Sequence, residues 1–93
     1  MISKADARNR APSREFLYRL ANNVKRLRKA QGLTQQELAR RCGFGTGYIG
    51  DIERAVINIT AANLEALATG LACYEEDLVR RSGQRTSSAA VPL

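Results

Sequence analysis

The chain has 93 residues and a mass of 10.2 kDa, with 15 Lys and Arg against 9 Asp and Glu, a formal charge of +6 and a pI near 10.0; that is one small domain, and the charge favours an anionic partner, either nucleic acid or an acidic membrane surface. Histidine is absent, which removes Ser-His and Cys-His catalytic pairs and any histidine-containing zinc site. Two cysteines, Cys42 and Cys73, are too few for a four-thiolate metal site or a disulfide scaffold, so a reduced cytoplasmic setting is expected, with no metal, no cofactor and no catalytic residue.

Residues 1–15 carry Lys4, Arg8, Arg10 and Arg14, hold Pro12, and have no large apolar side chain after Ile2. They are expected to form a flexible basic arm, because they cannot bury enough surface to offset the entropy of ordering. The charges of the first eight residues stand where a secretory signal would need an apolar run. No apolar stretch approaches the roughly 18 residues of a membrane span, so no membrane association is expected.

The first helix is expected over about 16–31, with Leu17, Leu20, Ala21, Val24 and Leu27 on one face. Arg19, Lys25, Arg26, Arg28 and Lys29 read as lying largely off that stripe, and Gly32 supplies the left-handed residue that ends the helix. Thr34-Gln35-Gln36-Glu37 is a capping box, and Leu33 with Leu38 is the hydrophobic staple around it. The second helix is therefore expected over 35–42, stopped by Gly43. A third follows at about 46–54 with Ile49 and Ile52 inward. Thr60 caps a fourth, whose Leu64, Leu67, Ala68 and Leu71 share a face, and Ile59 with Leu64 repeats the staple. Three acids, Glu75, Glu76 and Asp77, open a fifth over about 75–81. Residues 82–93 are small, polar and aperiodic, and read as a disordered tail. The fold class is all-α, five helices in one domain over 16–81.

The spacing between the second and third helices carries the functional signal. Counted from Gln35, Leu38 and Ala39 are the fourth and fifth residues, Cys42 and Gly43 the eighth and ninth, Phe44 the tenth, Ile49 the fifteenth and Ile52 the eighteenth. Two helices that cross steeply need a small contact residue (Ala39), a glycine in the tight turn (Gly43) and a branched aliphatic to lock the second helix (Ile49). That is a helix-turn-helix.

Leu33-Thr34-Gln35-Gln36-Glu37-Leu38-Ala39, Tyr48-Ile49-Gly50-Asp51-Ile52-Glu53-Arg54, Asn58-Ile59-Thr60 and Leu67-Ala68 together resemble the phage repressor and Cro type (XRE family) of DNA-binding domain, over about residues 20–78. The run Tyr-Ile-x-x-Ile-Glu-Arg followed by Asn-x-Thr is also similar to the small controller proteins of restriction-modification systems. The resemblance implies a compact lambda-repressor-like domain whose third helix enters the major groove. Thr46, Gly47, Tyr48 and Asp51 would then be the positions meeting base edges. Gln35, Gln36, Arg54, Asn58 and Thr60 would hold the DNA backbone, and Glu53 would be structural. Tyr48 has packing against the domain as an alternative role, and Asp51 an intramolecular ion pair. Dimerisation through Tyr74, Leu78 and Val79 is also implied, with two recognition helices about one DNA turn apart.

Three positions depart from the family pattern: Ala55 and Ala72 stand where glycine is usual, and Ile59 where proline is frequent. Gly45, Gly47 and Gly50 lie in or beside the recognition helix, which suggests close backbone approach to DNA or a reading surface of few side chains. The expected function is a sequence-specific transcriptional regulator of bacterial or phage type, a homodimer on a pseudo-palindromic double-stranded DNA site, with no small-molecule ligand. The competing class is an antitoxin-like module that binds a toxin and DNA. Cys42 and Cys73 read as packing residues. The basic arm has two roles open to it, a solvated tail or a contact to phosphates and the minor groove.

By segment the net charge is uneven. Residues 1–15 hold four basic and two acidic groups, residues 80–93 three basic and none acidic, and residues 16–79 eight basic against seven acidic. The folded part is thus nearly neutral.

Overall fold

A computed structural model describes residues 10–83, so most of the expected basic arm (1–9) and of the expected tail (84–93) lies outside the described residues. Five helices follow one another: α1 Arg14–Ala30, α2 Gln35–Cys42, α3 Tyr48–Glu53, α4 Ala61–Gly70 and α5 Glu75–Val79, with no strand among the described residues. The first begins two residues earlier than the sequence suggests because Ser13 caps it, its hydroxyl accepting from the Phe16 N–H at 3.0 Å. Residues 10–15 are therefore divided between a short approach and the first turn of α1.

The core is built from one face of every helix: Leu20 and Val24 of α1, Leu38 and Ala39 of α2, Ile49 and Ile52 of α3, Leu67 and Ala68 of α4 with Leu71 just beyond it, and Leu78 of α5. The helix α1 packs on α3 and α5, α4 on α5, and α2 on both α3 and α4. The two staples behave as their spacing requires, with Leu33, Ile59 and Leu64 half-buried against this cluster.

Four helices end in the same way. In each, a residue just past the last helical turn is left-handed, and two backbone N–H groups reach back to that turn in a Schellman arrangement. At α1 the Leu33 N–H donates to the Arg28 carbonyl (3.1 Å) and Gly32 N–H to Lys29 (3.0 Å); at α2 Phe44 donates to Ala39 (2.9 Å) and Gly43 to Arg40 (3.3 Å). At α3 Val56 donates to Asp51 (3.2 Å) and Ala55 to Ile52 (3.0 Å); at α4 Cys73 donates to Ala68 (2.9 Å) and Ala72 to Thr69 (3.1 Å). The left-handed residue is Gly32 or Gly43 at the first two ends, but Ala55 (φ +61°) and Ala72 (φ +52°) at the others. The two alanines that depart from the family pattern thus adopt the conformation a glycine would have adopted more cheaply.

Side chains from elsewhere satisfy the remaining carbonyls. Asn23 of α1 donates to the carbonyls of Leu78 and Arg80, both at 2.9 Å, and Arg19 to that of Val79 at 2.9 Å, which pins the end of α5 on α1. Gln31 donates to the Leu71 carbonyl at 2.6 Å. At its other end α5 is opened by Asp77, whose carboxylate accepts the Tyr74 N–H at 2.9 Å; that bond holds the Asp77 carboxyl below its ordinary range. Of the three acids expected to suit this terminus, it is the third that caps it.

Two features were not anticipated. Arg28, expected off the apolar stripe, is buried at 8% exposure. It follows Leu20 and Val24 at four-residue intervals and enters the interior because a carboxylate meets it there. At Gly70 a Cβ would stand 2.5 Å from Cys42 Sγ, so α4 approaches α2 more closely than any other residue type allows. Burial raises the thiol of Cys42 and pushes that of Cys73 up to about 11, Asp77 and Glu75 adding to the latter. Both cysteines are free and half-buried, in keeping with a packing role.

Candidate nucleic-acid interface

The turn between α2 and α3 is longer than the spacing suggests. Gly43 is left-handed at φ +75° and Gly47 again at φ +94°, so α3 starts at Tyr48, with Gly47 as its cap and no side chain capping it. Thr46 and Gly47 accordingly lie in the turn and not on the helix, both exposed. Ala39 and Ile49 are 3% and 1% exposed, so the small contact residue and the branched lock occupy the positions expected of them. Glu37 and Thr34 complete the capping box at 2.8 and 3.0 Å, and the Thr34 backbone N–H holds the Glu37 carboxyl below its usual range.

Gly43, Phe44, Gly45, Thr46, Tyr48, Asp51 and Asn63 border one open depression, which brings three of the four expected base-reading positions to a single face. The fourth, Gly47, caps the helix between them. Tyr48 packs against the domain, one of the two roles the sequence left open. Its ring packs edge-on against Phe44, with centroids 4.7 Å apart and planes at 73°, while its hydroxyl accepts from Asn63 Nδ2 at 2.9 Å. Asp51 is paired with Arg54 three residues on. Its carboxylate is therefore held by the domain's own cation, the second of the two roles the sequence left open.

On the flanks, Gln35 and Gln36 are exposed at the start of α2, and Arg54, Asn58 and Thr60 are exposed after α3. The Thr60 hydroxyl accepts the Asn63 N–H at 3.1 Å, which leaves its own proton to donate outward. Beneath them a network centred on Glu53 anchors α3. Arg28 donates from Nε and Nη2 to the two oxygens of Glu53 at 2.7 and 3.0 Å, and from Nη1 to the Leu33 carbonyl at 2.7 Å. Gln35 Nε2 donates to Glu53 at 3.0 Å. Burial pushes the Glu53 carboxyl up, but the bonds from Arg28 and Gln35 and the charges of Arg28 and Lys25 outweigh it, leaving the group below its ordinary value; the same contact raises Arg28. Glu53 is structural, as its position implies.

Gly50 has a reason within the domain. It is buried, and a Cβ there would lie 3.2 Å from Arg54 Nη1 and 3.3 Å from Gln35 Oε1. The missing side chain makes room for these two residues to lie across α3. At the proposed dimer positions, Tyr74 is 67% exposed and Val79 half-buried, whereas Leu78 is 0% exposed and fully used by the subunit's own core. Leu78 has no surface exposed to a partner, because α5 packs on both α1 and α4 and buries that side chain in the shared core.

Asn63 was missed. It is the third residue of α4, fifteen positions from Tyr48, and nothing in the local pattern joins the two.

Two helices crossing through Ala39, Gly43 and Ile49, with the second presenting a polar face between exposed Gln35 and Arg54, define a helix-turn-helix domain. Residues 24–78 match the helix-turn-helix family HTH_3 (XRE-like). The chain belongs to that family. It is 41% identical over 58 residues to a hypothetical transcription factor of Neisseria meningitidis, a match covering 60% of this chain and 55% of that one. The chain thus spans only about half the length of that relative. The control protein C.SmaI of Serratia marcescens is 38% identical over 64 residues, 69% of this chain and 76% of that one. Among solved structures, the restriction-modification controller protein C.AhdI of Aeromonas hydrophila is similar with a TM-score of 0.65 at 34% identity, covering 67% of this chain and 94% of that one. The Neisseria factor superposes with a TM-score of 0.71 at 31% identity, covering 78% and 85%. No helix of the described residues is long and apolar enough to cross a membrane.

Proposed function

We propose that the chain is a cytoplasmic transcriptional regulator that binds double-stranded DNA as a homodimer, α3 of each subunit in the major groove of one half of a pseudo-palindromic site. The observation that carries this is the face shared by Thr46, Tyr48 and Asp51, with Gly47 capping the helix among them and Gln35, Gln36, Arg54, Asn58 and Thr60 exposed nearby in the chain's fold. A base-reading face accompanied by exposed polar side chains able to hold phosphates matches the division of labour in DNA recognition. With Asp51 paired to Arg54, base contact falls to Thr46 and Tyr48, and Arg54 keeps donors for phosphate. Similarity to C.SmaI and C.AhdI supports a role in controlling a restriction-modification system. The dimer surface reduces to Tyr74 and Val79, with no cofactor and no small-molecule ligand.

In-vitro selection of DNA bound by the full chain tests this reading. The expected motif has two inverted halves about 34 Å apart, bound by a species twice the 10.2 kDa chain mass in sedimentation. Selection of no motif would sink the assignment, and a motif without inverted symmetry, bound by one subunit, would sink the dimer.

A further inference from the structure

Tyr48 and Asn63 form a polar pair that the helix-turn-helix frame does not require. The phenol ring is held on one side by Phe44, with centroids 4.7 Å apart. Its oxygen is held on the other by Asn63 Nδ2 at 2.9 Å. Both residues border the depression that also contains Thr46 and Asp51. A phenol has one proton to give and lone pairs to accept with. When an amide N–H occupies the oxygen, the proton is directed away from Asn63, and the group facing outward is a donor.

Resting on the DNA-binding reading above, we infer that Asn63 is a specificity-determining residue: by donating to the Tyr48 hydroxyl it makes Tyr48 a fixed hydrogen-bond donor, selecting an acceptor base edge. In the major groove those edges are guanine O6 and N7, thymine O4 and adenine N7; cytosine presents only an amine there and is disfavoured. Asn63 need not touch DNA for this. Its own backbone N–H is bound to the Thr60 hydroxyl at 3.1 Å, so changes to its side chain leave the α4 cap intact.

The inference is tested by reversing the polarity of the pair. In Asn63→Asp the carboxylate accepts the phenol proton, and Tyr48 is left to offer only lone pairs. An aspartate in the first turn of a helix is also favourable, so the fold is retained. The full-length variants Asn63→Asp, Asn63→Ala and Tyr48→Phe, and the double variant Tyr48→Phe with Asn63→Asp, are compared by DNA selection and by binding to single-base substitutions of the wild-type motif. At one base pair per half-site, Asn63→Asp shifts preference from the acceptor edge to a cytosine or adenine amine by about two- to tenfold, the range of a single hydrogen bond. Asn63→Ala flattens the preference there, and Asn63→Asp has no effect at that base pair in the Tyr48→Phe background. Unchanged preference in both Asn63 variants, or a uniform loss across all sequences, overturns the inference while leaving DNA binding standing. If the wild-type chain selects no motif, the DNA-binding reading fails first and this one with it.

Discussion

Ala72 closes α4 in the left-handed region at φ +52°, a conformation that costs an L-residue roughly 1–2 kcal/mol relative to the right-handed one. Replacing it with glycine removes that strain but gives the unfolded chain more conformational entropy, which costs about 0.4–1 kcal/mol. Ala72 is exposed, so little apolar burial is lost with the methyl. The two backbone bonds of the motif, at 3.1 and 2.9 Å, do not involve the side chain and persist. The net expectation for Ala72→Gly is a gain of about 0.5–1 kcal/mol, the difference between those two terms. For a domain of this size that is roughly 2–8 °C in Tm, measurable by calorimetry or urea titration. Gly32→Ala is the mirror experiment: φ is +70°, nothing lies within 4 Å of the added Cβ, and the cost should be of similar size with the opposite sign. If Ala72→Gly left stability unchanged or lowered it while Gly32→Ala was destabilising, the account of these helix ends would be wrong.

Three further outcomes follow from the packing. Gly70→Ala drives a methyl to 2.5 Å from Cys42 Sγ and should destabilise by about 1–3 kcal/mol as overpacking does; in a Cys42→Ala background most of that cost should vanish in a double-mutant cycle. Glu53→Ala strips the partner from a guanidinium whose side chain is 10% exposed and should cost about 3–5 kcal/mol, whereas Arg28→Met with Glu53→Leu should recover most of it; equal losses for the single and double variants in urea titration would contradict this. The pH profile has a definite sign. Glu53, Glu37 and Asp77 are all held below their ordinary values, so their stabilisation is present above the unfolded carboxylate range and disappears as pH falls through the folded values. With no histidine in the chain, stability measured by thermal melts should be nearly level from about pH 5.5 to 8 and fall below about pH 4.5.

The helix-turn-helix was legible because each of its requirements is local. The capping box, the staple, a small residue at Ala39 and a glycine at Gly43 are written within the eleven consecutive positions 33–43, and each leaves a distinct residue type. What escaped the sequence is long-range. Arg28 continues the four-residue rhythm of Leu20 and Val24, but its charge argued for solvent, and only Glu53, twenty-five positions away, explains its burial. Gly70 looks like an ordinary terminal glycine until α2 is laid against it. Gly50 has a reason within the domain, since Gln35 and Arg54 lie where its Cβ would be. The late start of α3 follows from Gly47, whose left-handed backbone breaks the helix that periodicity alone would have begun at Thr46.

These long-range features converge on one carboxylate. Glu53 takes two bonds from the core arginine of α1 and one from Gln35 at the head of α2, while its own helix carries Tyr48 and Asp51 on the opposite side. The recognition helix is only six residues long, with no side chain capping its start, and a helix that short has little intrinsic stability. Its orientation must therefore come from tertiary anchors. Ile49 and Ile52 supply the apolar ones, buried to 1% and 3%, and Glu53 supplies the directional one. A bidentate guanidinium–carboxylate pair fixes rotation about the helix axis in a way that two aliphatic side chains cannot. The Gly43–Gly47 turn, with its two left-handed glycines, is tolerable for the same reason, since the orientation of α3 is set from beneath by α1 and not by the turn that leads into it.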